Sequence, residues 1–298
     1  MRLYVFDDFR LGVQVSEEGL ADITELVSPS VAGPDRMTAL IAAWSDVAPS
    51  VRNAAEGPAD RSLVEAVLRA PQPRPRTIVA APVNYGLHQQ EMGGPGGVYD
   101  GVQIKTIETY AGFVKASSSV VGPDGAIEIP FLDRRVDHEA EVGVVIGRRA
   151  SRVSRADALD FVFGYVPLLD ITIRGDEDRS FRKSFDTFTP IGPAIVTADE
   201  VADPADIPLR LTVNGEERQK SNTRYLIYDI ARLIELYSAA MTLEPGDLIA
   251  SGTPEGVGPI VPGDHVVLSI GGVGELTMSV AARTGCGSSA APVTEPCA

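Results

Sequence analysis

Short apolar runs rich in β-branched residues recur along this chain, each cut off by glycine, proline or charged positions. Runs of that length read as strands buried on one or both faces. Leu3-Tyr4-Val5-Phe6 and Leu11-Gly12-Val13-Gln14-Val15 predict two leading strands. Around 35–46 the spacing turns helical, with Leu40, Ile41 and Trp44 on one face, and Asp60 to Leu68 predicts a second short helix. Pro71 to Arg76 then punctuates the chain as a stiff linker, so residues 1–70 read as a small N-terminal domain.

The following body, residues 71–283, is richer in strand signals. Thr77–Val83, Phe113–Ser117, Ile127–Pro130, Phe161–Leu169, Gly192–Thr197, Leu248–Ser251 and Val266–Ile270 all predict strands. Leu209 to Val213 followed by Asn214-Gly215 predicts a hairpin. Asp229 to Ser238 has helical spacing, with Asp229 as cap and Ile230, Leu233, Ile234 and Tyr237 inward. Ser154 is placed to cap another short helix, and 174–186 reads as charged and irregular. Met92 to Gly101 holds five glycines and a proline, a composition expected of a surface loop or of a mobile lid. From 284 onward Gly, Ser, Ala and Pro predict a disordered tail. The fold class is therefore a mixed, β-rich α+β protein.

Chemistry enters at Asp137-His138-Glu139-Ala140-Glu141, which opens the apolar run Val142 to Ile146. Side chains alternate along a strand, so Glu139 and Glu141 share one face and His138 takes the other. Two such carboxylates at the mouth of a buried strand require a proton, a cation between them, or solvent at an edge. Asp170 ends the Phe161–Leu169 strand and offers a third oxygen ligand, or else a strand-end cap. An all-oxygen set suits Mg²⁺, Mn²⁺ or Ca²⁺. His88 and Glu91 are one helical turn apart, the spacing of a carboxylate-oriented base or of a surface pair. Lys183, flanked by Phe181 and Phe185, is either an oxyanion partner or a solvated cation. Thr253 lies in the glycine-rich turn Ser251 to Gly258, whose amides suit a carboxylate; a phosphate-binding lysine is missing there.

Charge narrows the partners. With 26 basic against 41 acidic residues the formal charge is −15, which argues against nucleic acid and anionic membranes. No apolar run approaches the ~18 residues of a membrane span. Cys286 and Cys297, both near the end, make no disulfide framework. The expectation is a cytoplasmic protein acting on a small molecule.

Taken together, Asp137 to Gly147, Lys183-Ser184-Phe185-Asp186-Thr187-Phe188, Asn214-Gly215-Glu216 and Leu243 to Gly258 resemble the fumarylacetoacetate hydrolase family over roughly residues 77–282. The resemblance implies a β-roll body with a small N-terminal α/β domain, usually a homodimer. It implies Mg²⁺, Mn²⁺ or Ca²⁺ on Glu139, Glu141 and Asp170, and His88 with Glu91 as a water-activating dyad. Lys183 would stabilise an oxyanion or enolate, and Tyr85, Arg174, Glu177 and Thr253 would face the substrate. Departures occur at Leu169 and Gly175, where the family usually has Asn and Asp, and at Glu177, where a Gln often lies. The activity implied is metal-dependent C–C bond hydrolysis of a β-diketo or acylpyruvate-like keto acid. Oxaloacetate decarboxylation and isomerisation or hydration of unsaturated dicarboxylates stand as alternatives on the same metal site, beside a non-catalytic metal-binding scaffold.

Overall fold

The computed structural model describes residues 1–95, 97 and 100–284. Gly96, Val98 and Tyr99 of the expected lid, and residues 285–298 of the expected tail with both cysteines, lie outside the described residues. Among the described residues the fold is β-rich, with six α-helices set around four sheets. The main sheet has ten strands. Its spatial order is Arg61–Ser62, Gly19–Asp22, Arg10–Ser16, Arg2–Phe6, Ile195–Thr197, Val162–Leu169, Ala140–Ile146, Leu248–Ala250, Ile78–Ala80 and Phe113–Lys115. Neighbours run antiparallel except Leu248–Ala250 beside Ile78–Ala80. A five-stranded sheet orders Glu216–Asn222, Pro208–Val213, His265–Ile270, Gly274–Ala282 and Ala126–Ile129.

The strand Ala140–Ile146 is buried along its whole length because both faces of the main sheet are covered. Val142, Val144 and Ile146 point into one core with Tyr165, Leu169 and Ile249. Val145 points into the other, with Leu3, Val5, Ile195 and Leu168. Burial on both sides is what makes the run continuously apolar rather than alternating. The leading strands extend this sheet directly: Arg2 pairs with Val196 and Leu3 with Ile195. Trp44 closes the same core, its ring meeting Phe163 edge-on at 4.9 Å.

Three local expectations are corrected. Residues 60–68 form no helix. Arg61–Ser62 pairs as a strand with Gly19 and Leu20, and the Asp7 and Arg69 amides bond across this edge to Val67 and Val5. Leu63, Ala66 and Leu68 pack on Tyr4, Phe6 and Leu20, so tertiary pairing overrides the local spacing. The helical signal at 35–46 is two helices, Arg36–Ala42 and Trp44–Ala55, the second carrying Pro49 within it. Ser154 caps no helix; a single 3₁₀ turn, Ala158–Phe161, begins after Asp157. Elsewhere the pattern holds: Asn214 and Gly215 both take positive φ, 53° and 81°, in a two-residue hairpin turn. Asp229 caps Ile230–Ala240 by accepting from the Arg232 amide. None of the described helices is long and apolar enough to cross a membrane.

Because Leu3 is fully buried in a core that residues 1–70 share with the body, Leu3→Ala should cost about 3 kcal/mol. Loss should occur in one cooperative step. Urea unfolding followed in parallel by Trp44 fluorescence and circular dichroism checks this; two separated transitions would contradict it.

Candidate active site

Glu139 sits where the chain leaves one sheet and enters another. Val136–His138 pairs with Thr172–Ile173 and Gly258–Pro259, and Ala140–Ile146 then joins the main sheet. The Asp170 amide bonds the Glu139 carbonyl at 2.9 Å, which holds the ends of the two strands together. The result is a buried trio. Ligand oxygens of Glu139, Glu141 and Asp170 all lie within 4.8 Å of one another.

Each carboxylate is held differently. Glu139 accepts from Lys183 Nζ at 2.7 Å, Thr172 Oγ1 at 3.1 Å and Arg174 Nη2 at 3.2 Å. Asp170 accepts from Lys183 Nζ at 2.6 Å through one oxygen and from Lys115 Nζ through the other. Glu141 accepts the Gly252 amide at 2.7 Å. That amide is available because Gly252 has φ +100°, and a Cβ there would lie 2.6 Å from the Asn84 side chain. Burial and the neighbouring Asp170 charge push the Glu141 carboxyl well above its ordinary range. Burial pushes Glu139 in the same direction, but Lys183 and Arg174 outweigh it and hold its carboxyl well below that range. An all-oxygen, buried set with one member poorly neutralised fits a hard divalent cation.

The helix Gly86–Gly93 carries the dyad. His88 is buried and its Nδ1 meets Glu91 Oε2 at 3.3 Å. Glu91 uses its other oxygen to accept the Gly256 amide at 2.9 Å. Burial works against the Glu91 carboxylate, yet the His88 and Gly256 hydrogen bonds leave its pKa lowered. Gly256 has φ +89°, and a Cβ there would collide with the Arg218 carbonyl. With Glu91 accepting from Nδ1, His88 Nε2 remains as the basic nitrogen.

One cavity gathers His88, Glu139, Glu141, Asp170, Arg174, Lys183 and Thr253. Thr253 Oγ1 accepts from Gln219 Nε2 at 2.8 Å. Gln219 Oε1 takes the Ala140 amide at 3.0 Å and faces His138 Nδ1 at 3.1 Å, so His138 turns away from the carboxylates. Tyr85 and Glu177 are not brought to this cavity. The Tyr85 ring is buried, lining a neighbouring groove with Gln90, Tyr225 and Glu255. Glu177 gives both oxygens to Arg134, at 2.6 and 2.8 Å.

Sequence reasoning missed Lys115, Gln219 and Arg182. Lys115 is fully buried against Asp170, and its amine also donates to the Phe188 carbonyl at 3.0 Å. A lysine closing the apolar run Phe113-Val114 was the available signal. Gln219 had none, since it sits in the charged strand Glu216–Asn222.

Residues 77–281 match the fumarylacetoacetate (FAA) hydrolase C-terminal family. A maleylpyruvate hydrolase from Aquipseudomonas alcaligenes is 39% identical over 295 residues, covering 94% of this chain and 99% of its own. The crystal structure of maleylpyruvate hydrolase from Sphingobium sp. SYK-6, in complex with manganese(II) ion and pyruvate, is similar with a TM-score of 0.83 and 41% identity. The match covers 95% of this chain and 100% of that one. A probable 2-hydroxyhepta-2,4-diene-1,7-dioate isomerase from Mycobacterium abscessus gives a TM-score of 0.77 at 26% identity, over 95% and 98% of the two chains. Carboxylate trio, dyad and fold arrive together on a chain that belongs to the fumarylacetoacetate hydrolase family.

Proposed function

We propose that this chain is a divalent-metal-dependent hydrolase that cleaves a carbon–carbon bond in an acylpyruvate-type acid. The observation that carries the reading is the buried trio Glu139, Glu141 and Asp170 in one cavity with His88. The two maleylpyruvate hydrolases similar to nearly the whole chain support it, one of them holding manganese(II) and pyruvate. Glu139, Glu141 and Asp170 would hold the ion, Mg²⁺ or Mn²⁺. When bound, it supplies Lewis-acid polarisation of the keto-acid oxygens. His88, oriented by Glu91, takes a proton from water, and the oxygen attacks the carbonyl of the acyl half. The bond between that carbonyl and the pyruvate methylene breaks, and its electron pair leaves as an enolate. Lys183 neutralises the enolate oxygen. Thr253, whose oxygen accepts from Gln219, directs its own proton to a substrate oxygen. Protonation at carbon yields pyruvate beside the carboxylic acid. That the enzyme works as a cytoplasmic homodimer belongs to the same proposal and rests on the family.

With Mn²⁺ or Mg²⁺ present, the protein should release pyruvate from acylpyruvates in a lactate-dehydrogenase-coupled assay, and chelation should abolish release. His88→Ala should lower kcat by ~10²–10⁴-fold. Decarboxylation or isomerisation needs the enolate but no activated water. Pyruvate and carbon dioxide formed from oxaloacetate, or an isomer formed from an unsaturated dicarboxylate, at a rate indifferent to His88→Ala and with no pyruvate released from acylpyruvates, would replace the hydrolytic reading with one of those.

Cation and proton compete for Glu141, whose carboxyl is raised by burial and by Asp170. Mn²⁺ affinity should therefore climb with pH and level off once Glu141 is ionised in the free protein. Calorimetry in buffers of different ionisation heat should detect proton release on binding across the rising part. Glu141→Gln should weaken Mn²⁺ binding and remove that release; affinity flat with pH would count against Glu141 as a ligand.

A further inference from the structure

Among the cationic side chains that line the cavity, Arg182 is one that the reaction above does not use. Arg182 lies in the short helix Arg179–Arg182, beside Lys183, and is only 6% exposed. It lines the cavity. Its Nη1 is buried and has no hydrogen-bond partner among the described residues. A buried guanidinium N–H left unpaired is costly, and a planar donor fork matches a carboxylate. Glu177, whose carboxylate feels the Arg182 charge, does not answer that need, because both its oxygens are given to Arg134.

Charge in the cavity points the same way. Three carboxylates face four cationic side chains, Arg174, Arg179, Arg182 and Lys183. A bound divalent ion makes the excess of positive charge larger. Arg174 and Lys183 are engaged with the carboxylate trio, and Arg179 lies over the Tyr110 ring at 4.7 Å. A ligand with a single carboxylate, taken up at the trio, leaves Arg182 unanswered. Apolar side chains, Phe113, Met92 and Val83, line the same cavity and suit a short carbon chain between two charged ends.

We propose that Arg182 is a specificity-determining residue, pairing with the second carboxylate that an acylpyruvate diacid, such as the maleylpyruvate named for the similar hydrolases, carries at its acyl end. This rests on the acylpyruvate reading of the site, and the experiment separates the two. Binding of pyruvate, 2-oxoglutarate and 2-oxoadipate to the Mn²⁺-loaded protein is measured by calorimetry for wild type, Arg182→Met and Arg182→Gln. Wild type should bind at least one diacid about 10–100-fold tighter than pyruvate. Both variants should keep pyruvate affinity within about threefold and lose the diacid preference. In turnover, kcat/KM for a diacid acylpyruvate should fall by a similar factor, while that for acetylpyruvate holds. Circular dichroism identifies any variant that fails to fold, and the other then decides. Absence of a diacid preference in wild type, its retention in the variants, or equal loss on pyruvate and diacids would overturn the role of Arg182. Arg182-dependent diacid binding without pyruvate release from any acylpyruvate would uphold that role and overturn the hydrolytic reading.

Discussion

Three carboxyl groups held within a few ångströms of each other in the protein interior are the constraint around which this fold is arranged. Glu139, Glu141 and Asp170 repel one another and have lost their water, so each needs a compensating partner. Lys183 bridges Glu139 and Asp170, Lys115 takes the second Asp170 oxygen, Arg174 links Glu139 to Asp137, and Gly252 offers an amide to Glu141. Removing one member of such a set typically costs about 3–5 kcal/mol, because it strands a buried charge. The network is therefore expensive to assemble, and apolar side chains of equal volume would serve stability at least as well. Its place in the fold is explained by chemistry rather than by stability.

The supporting elements come from far apart in the chain. Asp170 and Lys115 are 55 residues apart, Glu141 and Gly252 111, Glu91 and Gly256 165. Asn84 shows how such distances are bridged: its amide donates to the Tyr228 and Ser251 carbonyls, and its oxygen accepts the Tyr228 amide. The loop before the His88 helix is thereby fixed to the strand that delivers Gly252 and Thr253. Glu91 bonding Gly256 adds a second tie between the same two segments. Orientation of the base and of the amide on Glu141 is one problem with one solution.

Much of this was legible because it is local. Alternation placed Glu139 and Glu141 on one face and His138 on the other, the apolar run from Val142 identified the buried strand, and Asn214-Gly215 marked the hairpin. What stayed hidden depends on partners distant in sequence. Nothing in Phe113-Val114-Lys115 announces Asp170, and Gln219 lies among charged neighbours that face solvent. Residues 60–68 misled because helical spacing of apolar residues also fits a turn-rich edge that covers Tyr4 and Phe6. The atypical run around Glu177 became interpretable only with Arg134 in place, since that pair leaves the Arg182 guanidinium to be accounted for.

The leading strands have a further consequence for the molecule in solution. A ten-stranded open sheet has two edges, and each edge offers unpaired amides and carbonyls to any other chain. Here the edges are Arg61–Ser62 and Phe113–Lys115, two and three residues long. Without Arg2–Phe6, the strand Ile195–Thr197, fully apolar at its first two positions, would form the border instead. The N-terminal segment thus replaces an apolar margin at that side of the sheet with a short one that carries Arg61.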